Sequence, residues 1–312
     1  MDTMMALRAH QRGGPEQLVY EQAPVPVSGP GDVLIAVHAA AITFAELTWD
    51  QSWTTSDGAD RTPVIPSHEV SGTVAALGDA VTDFAVGDEV FGLIDFDRDG
   101  AAAEYVTVPD VNLARKPPSI SHPEAACLSL AALTAWQALV DRADLALGEQ
   151  ALVLGGAGGV GLFAVQLAAI LGGQVTATDT GRNSDFVAGL GARQVIVVGN
   201  DSSGPQPSGM NVVIDTVGGD AQAGAYATLR PGGRLVTLVS PPSQELADRY
   251  GVHAMFFIVE PDAAELEHLG DLVADGRLQA VISQEIPLSA GREAYMGGGR
   301  PHPPGKTVLV VR

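Results

Sequence analysis

The chain has 312 residues, of which 46% are hydrophobic and 17% charged, a globular composition with enough length for two domains. Its formal net charge is −20, and such an acidic surface disfavours binding to nucleic acid or to an anionic membrane. The lone cysteine, Cys127, excludes an internal disulfide and a zinc site built from several thiolates.

The N-terminal segment lacks the apolar core of a signal peptide. The longest uncharged stretch, residues 125–140, contains polar side chains and is short for a bilayer. We therefore expect a cytoplasmic protein without a membrane span.

Short alternating apolar runs separated by glycine and proline turns fill the first part of the chain, and they predict β structure at residues 33–37, 70–77 and 105–108. The pattern changes at Ser121, where Glu124 completes a capping-box signature and Pro123 stands in the first turn. A long apolar helix is predicted from there to about Val140.

From Gln150 onward, apolar strands alternate with helical segments, which predicts a parallel sheet covered on both faces. A surface loop is predicted at residues 201–209, and a last strand at 305–311 is expected to rejoin the first domain. The predicted elements of this half are strands at 151–154, 174–178, 195–198, 212–214 and 235–239, and a helix at 160–171.

A glycine-rich loop follows the first of these strands and opens the helix, the context in which G-x-G-x-x-G indicates a dinucleotide site. Glycines let the backbone approach a pyrophosphate, and the helix N-terminus supplies free N–H groups. The residues assigned to this contact are Gly156, Ala157, Gly158, Gly159 and Val160, with Gly161 completing the motif.

The end of the next strand gives opposing indications about the adenosine ribose. Asp179 has nearly the spacing of the acidic residue that binds the ribose hydroxyls of NAD, unless it turns outward to solvent. Thr180 and Arg182 follow at once, and an arginine fork suits the 2′-phosphate of NADP. We predict NADP, with NAD as the alternative.

Many further segments, in the same order, resemble the medium-chain dehydrogenase/reductase superfamily in its zinc-free, quinone-oxidoreductase-like branch. They are PGDVL at 30–34, HEVSGTV at 68–74, VGDEVFG at 86–92, AEYV at 103–106, LTAWQAL at 133–139, IDTVGG at 214–219 and LRPGGR at 229–234.

The resemblance implies an α/β fold with a GroES-like β domain, a Rossmann doubly wound parallel-sheet domain, and an active site where they meet. We place the GroES-like catalytic domain at residues 1–126 and 257–312, and the Rossmann domain at 127–256. Predicted cofactor contacts outside the glycine loop and the ribose site are Phe44, Thr134, Val217, Phe257 and Lys306.

Zinc-dependent relatives hold catalytic metal with Cys, His and Cys, and the matching positions here are Thr43, His68 and Leu130. One imidazole and one hydroxyl do not make a zinc site, so no metal is expected. Enoyl-reducing relatives often carry a tyrosine where Phe44 stands, and a phenyl ring cannot donate a proton.

Without metal, the acceptor must be activated by its own conjugation, so we predict an NADPH-dependent reductase of a small apolar quinone or enone. Thr43 and His68 are the predicted donors to the developing oxyanion, with a satisfied core histidine as the alternative for His68. Glu69 is expected to be structural, bonded to backbone or to a basic partner. Trp49, Trp53 and Phe256 either wall an apolar pocket or belong to the core. The alternatives are an enoyl or polyketide-tailoring reductase and a non-catalytic NADPH-binding redox sensor. A homodimer is expected.

Overall fold

The structure is a computed structural model that describes residues 3–199, 207–297 and 303–312. Most of the predicted loop at 201–209 therefore lies outside the described residues. The strands are β1 (Thr3–Ala9), β2 (Leu18–Pro24), β3 (Asp32–Ala41), β4 (Glu69–Leu77), β5 (Glu89–Leu93), β6 (Tyr105–Pro109), β7 (Leu113–Arg115), β8 (Gln150–Leu154), β9 (Gln174–Asp179), β10 (Gln194–Val197), β11 (Met210–Asp215), β12 (Leu229–Thr237), β13 (His253–Phe256), β14 (Ile282–Pro287) and β15 (Lys306–Val310).

The helices include one long stretch and several short ones. They are α1 (His122–Cys127), α2 (Leu133–Gln137), α3 (Gly161–Ile170), α4 (Ser184–Gly189), α5 (Gly219–Ala225), α6 (Gln244–Tyr250), α7 (Ala263–Ala274) and α8 (Gly291–Met296). Wider helical turns at Leu128–Ala132 and Ala138–Arg142 make the chain helical from His122 to Arg142.

The chain divides into two compact units. The first consists of residues 1–130, 261–276 and 280–312, and the second of residues 131–260 and 277–279. The unit boundaries thus fall at 130 and 260, where the sequence placed domain boundaries at 126 and 256.

The first unit, here called the β unit, is built on a mostly antiparallel sheet in the order β14-β15-β3-β4-β5-β7, with β6 also paired to β3. Strand β3 alternates between buried and half-buried residues, because one of its faces packs into the core. The C-terminal strand β15 pairs antiparallel with β3, which confirms that the tail of the chain rejoins this domain.

The second unit, here called the nucleotide unit, contains an all-parallel sheet in the order β10-β9-β8-β11-β12-β13. This is the strand order of a doubly wound dinucleotide-binding fold, which confirms the predicted Rossmann domain. Helix α3 is buried from Gly161 to Ala168, as expected of a helix lying against such a sheet.

The capping box at the start of α1 is confirmed. The Ser121 N–H donates to Glu124 Oε2 at 2.7 Å, and the Glu124 N–H donates to Ser121 Oγ at 3.3 Å. Within the described ranges, the helical stretch His122–Arg142 has the length and composition of a membrane span, but 78% of its apolar window is buried inside the protein. Burial of this kind is typical of a core helix.

Candidate functional site

Hydrogen bonds to the neighbouring strand β9 hold the glycine loop between β8 and α3. The Gly155 N–H donates to Thr178 Oγ1 at 3.0 Å, and the Gly156 N–H donates to the Thr178 carbonyl at 2.8 Å. The Gly158 N–H turns back to the Gly155 carbonyl at 2.9 Å. The loop thus has a fixed shape at the start of α3, and the N-terminal end of a helix favours an anion.

Two glycines of this loop have different physical roles. A Cβ on Gly161 would lie 2.0 Å from the Gly155 carbonyl oxygen, so Gly161 permits close packing of the helix start against the loop. A Cβ on Gly158 would meet one atom, the same carbonyl oxygen, at 3.2 Å. Apart from that oxygen the position is open, so the loop leaves room for the close backbone approach that a pyrophosphate needs.

Asp179, at the end of β9, is buried and is held by its own loop. Its Oδ2 accepts hydrogen bonds from the Gly181 N–H at 2.7 Å, the Asn183 N–H at 3.0 Å and the Ser184 hydroxyl at 3.3 Å. The alternative in which Asp179 turns outward to solvent is wrong, because this turn ties the carboxylate down. Thr180 and Arg182 are exposed beside it.

The other predicted cofactor residues of the nucleotide unit lie in different surroundings. Val217 is 51% exposed just after β11, and its side chain adjoins Gly155. Thr134 is buried in α2, and the half-buried Phe257 ring carries the Arg142 guanidinium 5.2 Å from its centroid. Their contact with a cofactor stays a prediction.

In the β unit, Thr43, Glu69 and Lys306 form a compact polar cluster. The Lys306 ammonium donates to Glu69 Oε1 at 2.6 Å and to Thr43 Oγ1 at 3.1 Å, and the Thr43 hydroxyl donates to the same Glu69 oxygen at 2.9 Å. Glu69 is fully buried, and burial raises the pKa of its carboxyl even though Lys306 opposes the shift. Lys306 is the basic partner that the sequence left unnamed.

A second set of hydrogen bonds surrounds the predicted site residue His68. Its Nδ1 lies 3.0 Å from Glu46 Oε2, which also accepts the Ser67 N–H at 2.8 Å, and the Tyr295 hydroxyl donates to Glu46 Oε1 at 2.5 Å. Sequence reasoning missed this role of Glu46 and missed Tyr295 entirely. Glu46 and Tyr295 are 249 positions apart, so no local pattern connects them.

The aromatic residues considered for the site lie in different surroundings. Phe96 meets the His68 ring edge-on with centroids 5.3 Å apart, and Trp49 meets Phe96 in the same manner at 5.3 Å. Trp53 is buried and donates to the Leu47 carbonyl, so it belongs to the core. Phe44 also packs partly buried against that core, and Phe256 lies in the nucleotide unit.

The three positions that correspond to zinc ligands do not fit the metal. Leu130 offers no donor atom, Thr43 is engaged with Glu69 and Lys306, and the ammonium would repel a divalent cation. Burial raises the pKa of the Cys127 thiol, which keeps this lone thiol protonated. In the described part of the chain, no group of three or more His, Cys, Asp and Glu side chains is arranged to hold a metal ion.

A parallel-sheet unit with a glycine loop, together with a β unit containing a buried polar cluster, defines the class of two-domain nicotinamide-dependent oxidoreductases. The family profile described as "Alcohol dehydrogenase GroES-like domain" matches residues 29–118, and that described as "Zinc-binding dehydrogenase" matches residues 190–309.

Individual relatives agree with these profiles. The chain is 32% identical to "Probable zinc-binding oxidoreductase, mitochondrial" of Arthroderma benhamiae, over 92% of this chain and 91% of that protein. It is 28% identical to "NAD(P)H oxidoreductase RTN4IP1, mitochondrial" of Danio rerio, over 90% and 84%. The solved quinone oxidoreductase of Coxiella burnetii superposes with a TM-score of 0.91 at 30% identity, covering 100% of both chains.

The chain belongs to the medium-chain dehydrogenase/reductase superfamily, in its quinone-oxidoreductase-like branch, and it is an oxidoreductase of that type. This confirms the predicted family, fold class and enzyme class. The cytoplasmic location and the homodimer stay predictions.

Proposed function

We propose that this protein transfers a hydride from NADPH to a small apolar acceptor with a conjugated carbonyl, a quinone or an enone, without a metal ion. The observation that carries the proposal is the Lys306 ammonium, 3.1 Å from the Thr43 hydroxyl and 2.6 Å from Glu69. It supplies a fixed positive charge at a position where zinc-dependent relatives use a metal ligand.

The nicotinamide cofactor supplies the hydride, and the protein has to stabilise the negative charge that develops on the acceptor oxygen. The only hydroxyl hydrogen of Thr43 is directed at Glu69. We therefore assign the donor role to Lys306, which has three N–H hydrogens and uses two of them in the contacts described. Thr43 then orients the ammonium.

We propose NADP as the dinucleotide, and the proposal depends on Asp179 and Arg182. Asp179 is the carboxylate nearest to the proposed ribose site in sequence, and three donors share its charge at Oδ2. Arg182 is exposed, and its flexible side chain can present a bidentate fork to a 2′-phosphate. The name of the Danio rerio relative includes NAD(P)H, which supports a nicotinamide cofactor without choosing between the two.

The test measures oxidation of NADPH and of NADH with quinones, enones and saturated aldehydes of matched size. Turnover of quinones and enones, but not of saturated aldehydes, supports the proposal, because only a conjugated acceptor is activated without metal. Turnover confined to enones identifies an enoyl or polyketide-tailoring reductase. Cofactor binding without turnover of any acceptor identifies a redox sensor and overturns the proposal.

Metal independence has its own measurement. The purified protein is dialysed against a chelator, its zinc content is determined by elemental analysis, and its activity is compared with the undialysed sample. We expect far less than one zinc per chain and unchanged activity. Stoichiometric zinc, or activity that zinc restores, contradicts this part of the proposal.

A further inference from the structure

The hydrogen bonds around Glu46 determine which nitrogen of His68 carries hydrogen. Glu46 Oε1 accepts the Tyr295 hydroxyl, and Glu46 Oε2 accepts the Ser67 N–H. The backbone N–H can only donate. Burial and the adjacent Glu46 raise the pKa of Tyr295 well above its usual value, so its hydroxyl also keeps its hydrogen and donates.

Both oxygens of Glu46 thus act as acceptors, and His68 Nδ1, 3.0 Å from Oε2, is placed to be the third donor. A neutral imidazole has one hydrogen, so Nε2 is left with a lone pair. Nε2 is buried without a hydrogen-bond partner among the described residues.

The cluster of Thr43, Glu69 and Lys306 also contains a buried acceptor atom without a donor. Glu69 uses Oε1 for Lys306 and Thr43, while its Oε2 is buried and has no partner among the described residues. His68 Nε2 and Glu69 Oε2 are thus both buried acceptors in need of a donor, and a buried polar atom without a partner is destabilising.

We propose that Glu46 and Tyr295 are positioning residues that fix His68 as a hydrogen-bond acceptor at Nε2, and that the site therefore selects acceptor molecules bearing a hydroxyl group. The second half of the proposal rests on the proposed function. The sequence assigned His68 the opposite role, donation to an oxyanion, which a neutral imidazole with hydrogen on Nδ1 cannot perform.

The first experiment observes the tautomer directly by nitrogen-15 NMR of the imidazoles, on the full chain with no acceptor present, at about pH 8, above the usual pKa of a free histidine. His68 is assigned by the signals lost in His68→Asn. We expect a protonated Nδ1 and a Nε2 with the shift of a nitrogen without hydrogen. Hydrogen on Nε2 in the wild-type protein overturns the proposal.

The second experiment compares Tyr295→Phe with Tyr226→Phe. Tyr226 is a buried tyrosine of the nucleotide unit whose hydroxyl bonds to Ser243, so its replacement removes a comparable hydrogen bond elsewhere. We expect Tyr295→Phe to remove the donor that anchors Glu46 Oε1, so that the carboxylate can turn away from His68 Nδ1 and the His68 signals change toward a mixture of tautomers, while Tyr226→Phe leaves them unchanged. Identical His68 spectra in both variants contradict a positioning role for Tyr295.

The third experiment tests selection with 4-hydroxycyclohex-2-enone and its 4-methoxy analogue. The hydroxyl can donate to Nε2 and the methoxy group cannot, so we expect kcat/KM to favour the hydroxyl compound by about tenfold or more. This preference should fall in Tyr295→Phe and persist in Tyr226→Phe. Equal rates for the two compounds overturn the selection, whereas failure of both to react overturns the proposed function and leaves the tautomer result standing.

Discussion

Glu69 and Lys306 form an ion pair from which water is excluded, with side chains 1% and 5% exposed. Desolvation of both charges opposes the pair, and it is offset only while each partner is present. Removal of one partner leaves a buried charge without compensation, whereas removal of both leaves an apolar space. The pair as a unit therefore adds little net stability, while the loss of either partner alone is strongly destabilising.

We predict that Lys306→Met destabilises the protein by about 3–5 kcal/mol, and that the double variant Lys306→Met with Glu69→Leu recovers most of that loss. The measurement is urea unfolding of wild type and variants. Arg249→Met is the control, because its pair with Glu245 is 63% and 81% exposed and should contribute almost nothing. A double variant as unstable as the single one contradicts the desolvation argument.

Arg182 tests the choice of dinucleotide. We predict that Arg182→Ala weakens NADPH binding by about 1–3 kcal/mol and leaves NADH binding nearly unchanged, because only the former has a 2′-phosphate to bond. Calorimetry with both cofactors measures this. Arg193→Ala is the matched control, an exposed arginine near the opposite end of β9 that bonds to Gln174. If the wild-type protein prefers NADH and Asp179→Ala abolishes that preference, Asp179 and not Arg182 determines which dinucleotide binds.

At the scale of elements, the loop between β8 and α3 contains one glycine needed for packing and another proposed to be needed for cofactor binding. Gly161 packs against the loop backbone, and Gly158 borders the space proposed for the cofactor. Gly224, inside helix α5, has nothing within 4 Å of its notional Cβ. These three glycines therefore provide a matched series.

We predict that Gly161→Ala destabilises the protein by about 1–3 kcal/mol through overpacking, whether or not cofactor is present. Gly158→Val should abolish NADPH binding with a smaller loss of stability, and Gly224→Ala should stabilise by about 0.5–1 kcal/mol. Urea unfolding and cofactor titration of each variant measure the two effects separately. Unchanged NADPH affinity in folded Gly158→Val means that the loop assignment is wrong.

Helix α1 contacts the sheet through two stacked imidazoles, His38 from β3 and His122 from the first turn, with centroids 4.2 Å apart. Their nitrogens lie 3.1 Å from the Thr73 hydroxyl and 2.8 Å from the Ser71 hydroxyl, respectively. Burial, and then the nearby His38, lower the pKa of His122 from 6.5 to about 4, and Glu89 only partly opposes this. Burial also lowers the pKa of His38.

A lowered histidine pKa means that the unfolded chain binds more protons than the folded protein between pH 6.5 and about 4. The stabilising contribution is present above pH 6.5 and is lost as the pH falls toward 4. We predict that His122→Asn removes roughly 1–2 kcal/mol of the stability difference between about pH 7 and about pH 5, allowing for partial hydration. Unfolding series at both pH values measure it, with exposed His253→Asn as control. An unchanged slope in His122→Asn rules out this source.

For the whole molecule, the net charge of −20 means that surface carboxylates repel one another in the folded state. Salt screens this repulsion, with a Debye length of about 30 Å at 0.01 M and about 8 Å at 0.15 M. We predict that the Tm rises by several degrees between these conditions. Sodium chloride and choline chloride at equal ionic strength should act alike, whereas an effect of sodium alone would indicate specific cation binding.

The sequence by itself determined the features that depend on residues close together in the chain. Three such features are the alternation in β3, the capping box at Ser121 and the order of β8, glycine loop and α3. Each depends on local burial or on a local requirement of the backbone. Together with the ordered motifs they were sufficient for the family, the Rossmann fold and the position of the loop. Edge strand β13 was not predicted, because its four half-buried or exposed residues lack a clear apolar period.

The tertiary structure alone decided which polar groups meet. Lys306 and Glu69 are 237 positions apart, and Tyr295 and Glu46 are 249 apart, so their pairing depends on how β15 and α8 return to the part of the chain around β3 and β4. Asp179 was visible in sequence, but whether it faced solvent or its own loop depended on the turn that follows β9. Periodicity records whether a residue is buried, while the partner of a buried polar group is set by topology and by the need to satisfy each donor and acceptor.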